Sequence, residues 1–141
     1  MAVDRLSEAE RWLRQSLRDL DAARGGSLAG GYYEWACFQA QQAAEKAVKA
    51  LLHGLGVGAW GGHSIVELLD MLRDRYNIEG LMPLARELDR HYIPARYPNS
   101  FESGYPPAMY YDNEVAERAI KAAEAIITWV RERLRELGLA T

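Results

Sequence analysis

The stretch 89–99, DRHYIPARYPN, gathers planar cations and aromatic rings in one short span. Arg90 and Arg96 carry guanidinium groups suited to phosphate, and Tyr92 and Tyr97 offer faces on which a base can stack. Asn99 adds an amide beside them. Pro94 and Pro98 stiffen the segment, and a stiff loop has little left to order when it binds. The same residues equally suit a structural loop in which Arg96 pairs with an acid and the tyrosines pack.

A second set lies upstream. Gln39, Gln42, Lys46, Lys49 and His53 are spaced 3, 4, 3 and 4, which aligns them on one face of a helix. Trp35 heads this polar stripe. Three readings stay open: a solvated face supported by pairs such as Glu45 with Lys49, a contact surface for an anion or nucleotide, or a face buried against a second copy. Trp35 favours contact, because an aromatic ring among polar residues marks interfaces and stacking platforms.

Other chemistries are poorly supported. The motif GxGxxG at 56–61 lacks the preceding strand that a dinucleotide fingerprint requires, so it reads as an inter-helix loop. Gly26 and Gly31 are spaced like P-loop glycines, but Tyr32 and Tyr33 replace the needed Lys and Ser or Thr. His53, His63 and His91 are the only histidines, and no carboxylate-x-x-His spacing pairs them for a metal. His63 reads better as a partner for a backbone or carboxylate group. The single cysteine, Cys37, falls on an apolar helix face and reads as a buried thiol. No metal and no cofactor are expected.

The elements that must hold these groups are helices. At 141 residues, 49% hydrophobic and 26% charged, the chain is expected to be one globular domain over 1–141. A net charge of −3 argues against a surface that grips nucleic acid as a whole and leaves room for a local basic patch. One cysteine, no long apolar run and no hydrophobic leader in MAVDRLSEAERW point to a cytoplasmic protein with no membrane contact.

The spacing predicts a first helix over 7–23, opened by a capping box of Ser7 and Glu10. Gly25-Gly26 and Gly30-Gly31 are expected to break it. The second helix, over 32–55, carries Tyr33, Cys37, Ala40, Ala44, Ala47, Val48, Leu51 and Leu55 on one apolar face. A third follows over 64–76 from a second capping box, Ser64 with Glu67. Pro83 suits the first turn of a short fourth. The proline- and tyrosine-rich segment 93–111 is non-helical. Asp112 or Asn113 caps a last helix, whose Val115, Ala119, Ala122, Ile126, Val130, Leu134 and Leu137 form one face. The fold class is all-α.

Taken in order, these pieces resemble a HEPN domain, the family named for higher eukaryotes and prokaryotes nucleotide-binding, over 6–134. The resemblance rests on FQAQQAAEKA at 38–47 with Lys49, on His63 followed by Leu68-Leu69, on Tyr92 with Arg96-Tyr97-Pro98-Asn99, and on the alanine-rich last helix after Tyr110-Tyr111. It implies an up-and-down four-helix bundle with an additional short helix, a homodimer, and a small nucleotidyltransferase partner in a toxin–antitoxin-like pair. It further implies a non-catalytic module for a nucleotide or RNA. Arg96 would be the main anion contact and Tyr97 a stacking group, with Asn99 beside them. Lys46, Lys49 and Arg90 would add charge, and Trp35, Gln39 and Gln42 would form an interface. The alternative is a metal-independent ribonuclease of the family's Arg-x(4–6)-His type, for which Arg86 and His91 have the spacing. The leading reading expects the 93–111 loop to fold over the Lys46 side, so that Arg96 and Lys46 share one electropositive pocket.

Overall fold

A computed structural model describes residues 2–58, 62–102 and 104–141. Five α-helices carry the fold: α1 (Ala2–Asp21), α2 (Tyr33–Gly54), α3 (Ile65–Asp70), α4 (Met82–Asp89) and α5 (Asn113–Glu136). There is no strand among the described residues. The long helices α1 and α5 both pack along α2, and the short pair α3 and α4 closes the bundle against α2 and α5.

The central position of α2 follows from its alanines. Ala36, Ala40, Ala43, Ala44, Ala47 and Ala50 are all fully buried, so neighbouring backbones can approach from more than one side. At its C-terminal end Gly54 extends this. A Cβ there would stand 3.2 Å from Leu134 Cδ2 of α5 and 3.5 Å from the Ala9 Cβ of α1. Ser16 satisfies its buried hydroxyl by donating to the Ala43 carbonyl at 2.7 Å, which ties α1 to α2. Cys37 is fully buried as expected, and burial pushes its thiol up to about 12, where no reactive thiolate forms near neutral pH.

Several boundaries differ from expectation. Ser7 lies inside α1, because 2–6 contain no breaker and Asp4 favours a helix N-terminus. Gly25 and Gly26 do not end the winding. The chain continues through them as a π-helix, Ala22–Leu28, and reverses at Gly31 (φ 81°), a conformation that suits glycine. The helix predicted to Tyr76 ends at Asp70. Bonds such as Leu72 N–H to Leu69 O (2.9 Å) and Arg75 N–H to Leu72 O (3.0 Å) tighten it into turns that still bury Leu72. The other two predicted N-caps form, with Asp112 and not Asn113 as the last: Glu67 N–H donates to Ser64 Oγ and Val115 N–H to Asp112 Oδ1. Of the glycine motif at 56–61, Gly56 and Gly58 take positive φ, and 59–61 lie outside the described residues.

Candidate anion site at the Arg96 loop

Arg96 sits in an aromatic clamp. Its Nε donates to the Tyr92 carbonyl at 2.8 Å, and its Cζ lies 4.6 Å from the Phe38 ring centroid, 4.5 Å from Tyr92 and 5.0 Å from Tyr97. These are cation–π distances, so three rings hold the guanidinium, and among the described residues one of its five N–H donors has a hydrogen-bond partner. No carboxylate among the described residues pairs with it. Trp35, 44% exposed, meets Phe38 edge-on, and Tyr97 is 46% exposed. Pro98–Ser100 form a 3-10 turn that follows directly and carries exposed Asn99.

Beneath the clamp lies a polar network anchored on α2. Glu45 is 3% exposed and Lys49 is 6% exposed, and Lys49 Nζ donates to Glu45 Oε2 at 2.9 Å. Gln42 Nε2 donates to Glu45 Oε1 at 3.2 Å and to Gln41 Oε1 at 2.8 Å. His63 Nδ1 lies 3.3 Å from Glu45 Oε1, while the His63 carbonyl accepts from buried Gln41 at 2.8 Å. Of the two partners expected for the His63 ring, a backbone or a carboxylate group, the carboxylate is the one present. Its imidazole stacks on Tyr92 with centroids 4.8 Å apart and planes 18° apart.

Asp89 completes the layer. It accepts from Ser64 Oγ (3.0 Å), Ile65 N–H (2.9 Å), Val66 N–H (3.1 Å) and Gln41 Nε2 (3.3 Å). The start of α3 is thus satisfied from within the protein. A cavity of about 160 Å³ opens beside it, lined by His63, Ser64, Asp89, Tyr92 and Ile93.

The structure brings Arg96 and Tyr97 together and leaves Lys46 elsewhere. Lys46 pairs with Asp19 of α1 at 2.5 Å and lines an open groove with Arg11, Trp12, Arg14 and Arg18. The loop closes on Phe38 instead, and Lys46 lies eight residues on, roughly 80° around the helix. Arg96 and Lys46 share no contact among the described residues. Gln39 accepts from Ser27 Oγ at 2.6 Å, and Arg90 is exposed and paired with Glu87 at 3.1 Å. The polar stripe of α2 is therefore largely occupied by partners within the chain.

Arg86 is exposed on α4, while His91 is only 7% exposed. His91 Nδ1 lies 2.9 Å from the Tyr111 hydroxyl, and its Nε2 is buried with no hydrogen-bond partner. Burial, first of all, holds this imidazole below the ordinary histidine value; Glu87 opposes the shift, and Arg118 and Arg90 add to it. The unfolded chain then takes up this proton first as the pH falls. Stability should be level above the unfolded histidine range and decline below it, by up to about 1.4 kcal/mol per pH unit. Urea unfolding of wild type and His91→Gln between pH 7.5 and 5.5 should show a shallower decline in the variant. Equal slopes would assign the acid sensitivity to other groups.

Sequence reasoning missed Phe38, Glu45, Gln41 and Asp89 as parts of this site. Glu45 and Lys49 carried a signal, their i,i+4 spacing, but it reads the same for an exposed pair as for a buried one. Among the described residues no three His, Cys, Asp or Glu side chains cluster as metal ligands.

Helices that bury an alanine-rich α2 and present this loop define the class: the chain belongs to the HEPN domain family, whose model matches residues 9–133. Three solved structures share the fold at substantial identity. TT1696 from Thermus thermophilus is 43% identical, with a TM-score of 0.84 over 89% of this chain and 98% of that one. ST0689, an archaeal HEPN homologue, is 39% identical with a TM-score of 0.76, over 90% and 98%. A HEPN domain protein from Thermotoga maritima, tm0613, is 37% identical with a TM-score of 0.71, over 89% and 98%. A curated relative named "Putative toxin MJ1304", from Methanocaldococcus jannaschii, is 27% identical over 91% of this chain and 89% of its own length. No helix among the described residues is long and apolar enough to cross a membrane.

Proposed function

We propose that this protein is a non-catalytic HEPN module that holds a nucleotide-type anion, free or within RNA, on the Arg96 loop. The carrying observation is the clamp: a half-buried guanidinium, held among the rings of Phe38, Tyr92 and Tyr97, with no acidic partner among the described residues. A pre-oriented cation with unused donors favours planar recognition of phosphate, and exposed Tyr97 supplies a stacking face next to it. Asn99 adds a polar group at the rim. The protein works as a homodimer beside a small nucleotidyltransferase in a pair of toxin–antitoxin type. The relative named "Putative toxin MJ1304" and the exposed rings of Tyr32, Trp35 and Tyr97 support that pairing.

The ribonuclease alternative requires His91 to reach a substrate. Its burial and its bond with Tyr111 count against that role. Calorimetric titration of ATP, GTP and a short RNA tests the reading. Wild type should bind at least one of them, and Arg96→Ala should weaken that binding tenfold or more, the loss of about 1.4 kcal/mol or above that a charge-assisted hydrogen bond supplies. Failure of wild type to bind any of the three would remove the nucleotide claim. Sedimentation of the protein with and without a nucleotidyltransferase encoded beside it tests the pairing.

A further inference from the structure

We infer that the groove between α1 and α2 is a second anion-binding surface, which takes the phosphate backbone of single-stranded RNA without reading its bases. It is separate from the Arg96 loop and does not depend on it.

The groove encloses about 690 Å³, and its cations come from two helices: Arg11, Arg14 and Arg18 from α1 and Lys46 from α2. Spacings of 3 and 4 set the three arginines on one face of α1. They run for about 10.5 Å along its axis, which suits an anion extended along the helix better than a compact one. Arg18 is exposed and has no acidic partner among the described residues. The other three cations each face one carboxylate, Glu8, Glu10 or Asp19. A cation is thus left over here, in a chain whose net charge is −3.

The pairs do not close the groove. Arg11 meets Glu8 at 3.2 Å and Arg14 meets Glu10 at 2.8 Å, with arginine side chains 79% and 78% exposed. Pairs so exposed add little to stability, so phosphate oxygens can displace their carboxylates. Arg11, Arg14 and Lys46 each give their acid one hydrogen bond and keep further N–H donors. Asp19 has both oxygens engaged, one by Lys46 and the other by Gln15 at 2.9 Å.

The lining also selects the occupant. A protein partner needs an open apolar anchor, and the one large apolar side chain present, Trp12, is in use. Its ring stacks on His53 with centroids 5.4 Å apart, and its indole N–H donates to Glu8 at 3.1 Å. Gln15, the one amide in the lining, is spent on Asp19, so nothing remains to read a base edge. What the groove offers is a row of planar donors, and these match phosphate oxygens.

Fluorescence anisotropy with a labelled single-stranded RNA of about 12 nucleotides, from about 50 mM salt upward, tests the groove. The triple variant Arg11→Gln, Arg14→Gln, Arg18→Gln should bind at least tenfold more weakly than wild type at the lowest salt. Its plot of log affinity against log salt should be shallower by roughly two, since each phosphate contact on a single strand contributes about 0.7. Arg18→Gln alone, which removes no bond of the fold, should weaken binding about threefold and flatten the plot by about 0.7. Glu10→Gln, which frees Arg14, should tighten binding. Two RNAs of unrelated sequence should bind Arg96→Ala equally well. Unchanged affinity and slope in the triple variant, or no RNA binding by wild type, would overturn the inference. Loss of all binding in Arg96→Ala alone would overturn it too and leave the Arg96 site standing. Binding that falls in the triple variant but not in Arg96→Ala would support the groove and remove RNA from the Arg96 loop. Competition by polyglutamate as strong as by unlabelled RNA would assign the groove to acidic protein segments and overturn the choice of RNA.

Discussion

Lys49→Ala is expected to destabilise the fold by about 3 kcal/mol or more, the usual consequence of removing one partner from a buried ion pair. The Lys49 side chain is 7% exposed and that of Glu45 is 3% exposed. Deleting the ammonium leaves the Glu45 carboxylate inside the bundle with only His63 and Gln42 as partners. The ammonium also stands 5.6 Å from the Trp12 ring centroid of α1, so its loss loosens the α1–α2 packing as well. The double variant Glu45→Gln with Lys49→Met should recover much of the deficit, because it removes the stranded charge and keeps the volume filled. Urea denaturation of wild type, Glu45→Gln, Lys49→Met and the double variant completes a cycle in which the coupling between the two positions is large. A loss below about 1 kcal/mol for Lys49→Ala, of the size found for exposed pairs, would mean that water reaches this network.

The reason Lys49 reads as a surface residue in the sequence is instructive. Helical periodicity assigns one buried face per helix, and on that assumption the stripe from Gln39 to His53 points to water. Yet α2 is enclosed by α1, α5 and the α3–α4 pair, so both its apolar and much of its polar surface are covered. Alanine content was the available sign of this, since six fully buried alanines suit a helix approached from several sides. Polar residues inside such a helix must find partners, and Gln41, Glu45 and Lys49 find them on elements that are remote in sequence or one turn away. No local pattern names those partners. By contrast, α2 and α5 were legible because their apolar faces run for many turns, and the Ser64 and Asp112 caps because a cap is a local event.

The site shows the same division. Arg96, Tyr92 and Tyr97 are close in sequence, so their chemistry was readable as a unit, and their clamp forms. Phe38, which supplies a further ring, comes from a distant helix and carries no mark of that role. Lys46 shows the opposite error. Its place in the cationic stripe suggested a share in the anion site, but Asp19 on α1 draws it to the other groove. The π-helical turn at Ala22–Leu28 was hidden for a related reason: glycine pairs suggest a break, and only packing decides whether the chain keeps winding through them.

Asp89→Ala is expected to remove about 2–4 kcal/mol, because one carboxylate satisfies two backbone N–H groups, a hydroxyl and a buried amide. It acts as a helix cap supplied from another element. The N–H groups of Ile65 and Val66 face it while Ser64 caps Glu67, so the first turn of α3 depends on both. Asp89→Asn keeps one oxygen acceptor but sets an NH2 group against the two donors that the other oxygen served, so a substantial part of that loss should remain. The consequence for the site is direct. The carbonyl of His63 and the Asp89 carboxylate share the same Gln41 amide, so freeing α3 releases His63 from its stack on Tyr92. Hydrogen exchange of the α3 amides should therefore accelerate in Asp89→Ala beyond the change set by global stability, while the α5 amides follow global stability alone. Uniform acceleration across both helices would show that Asp89 braces the whole bundle and does not act as the pin of one element.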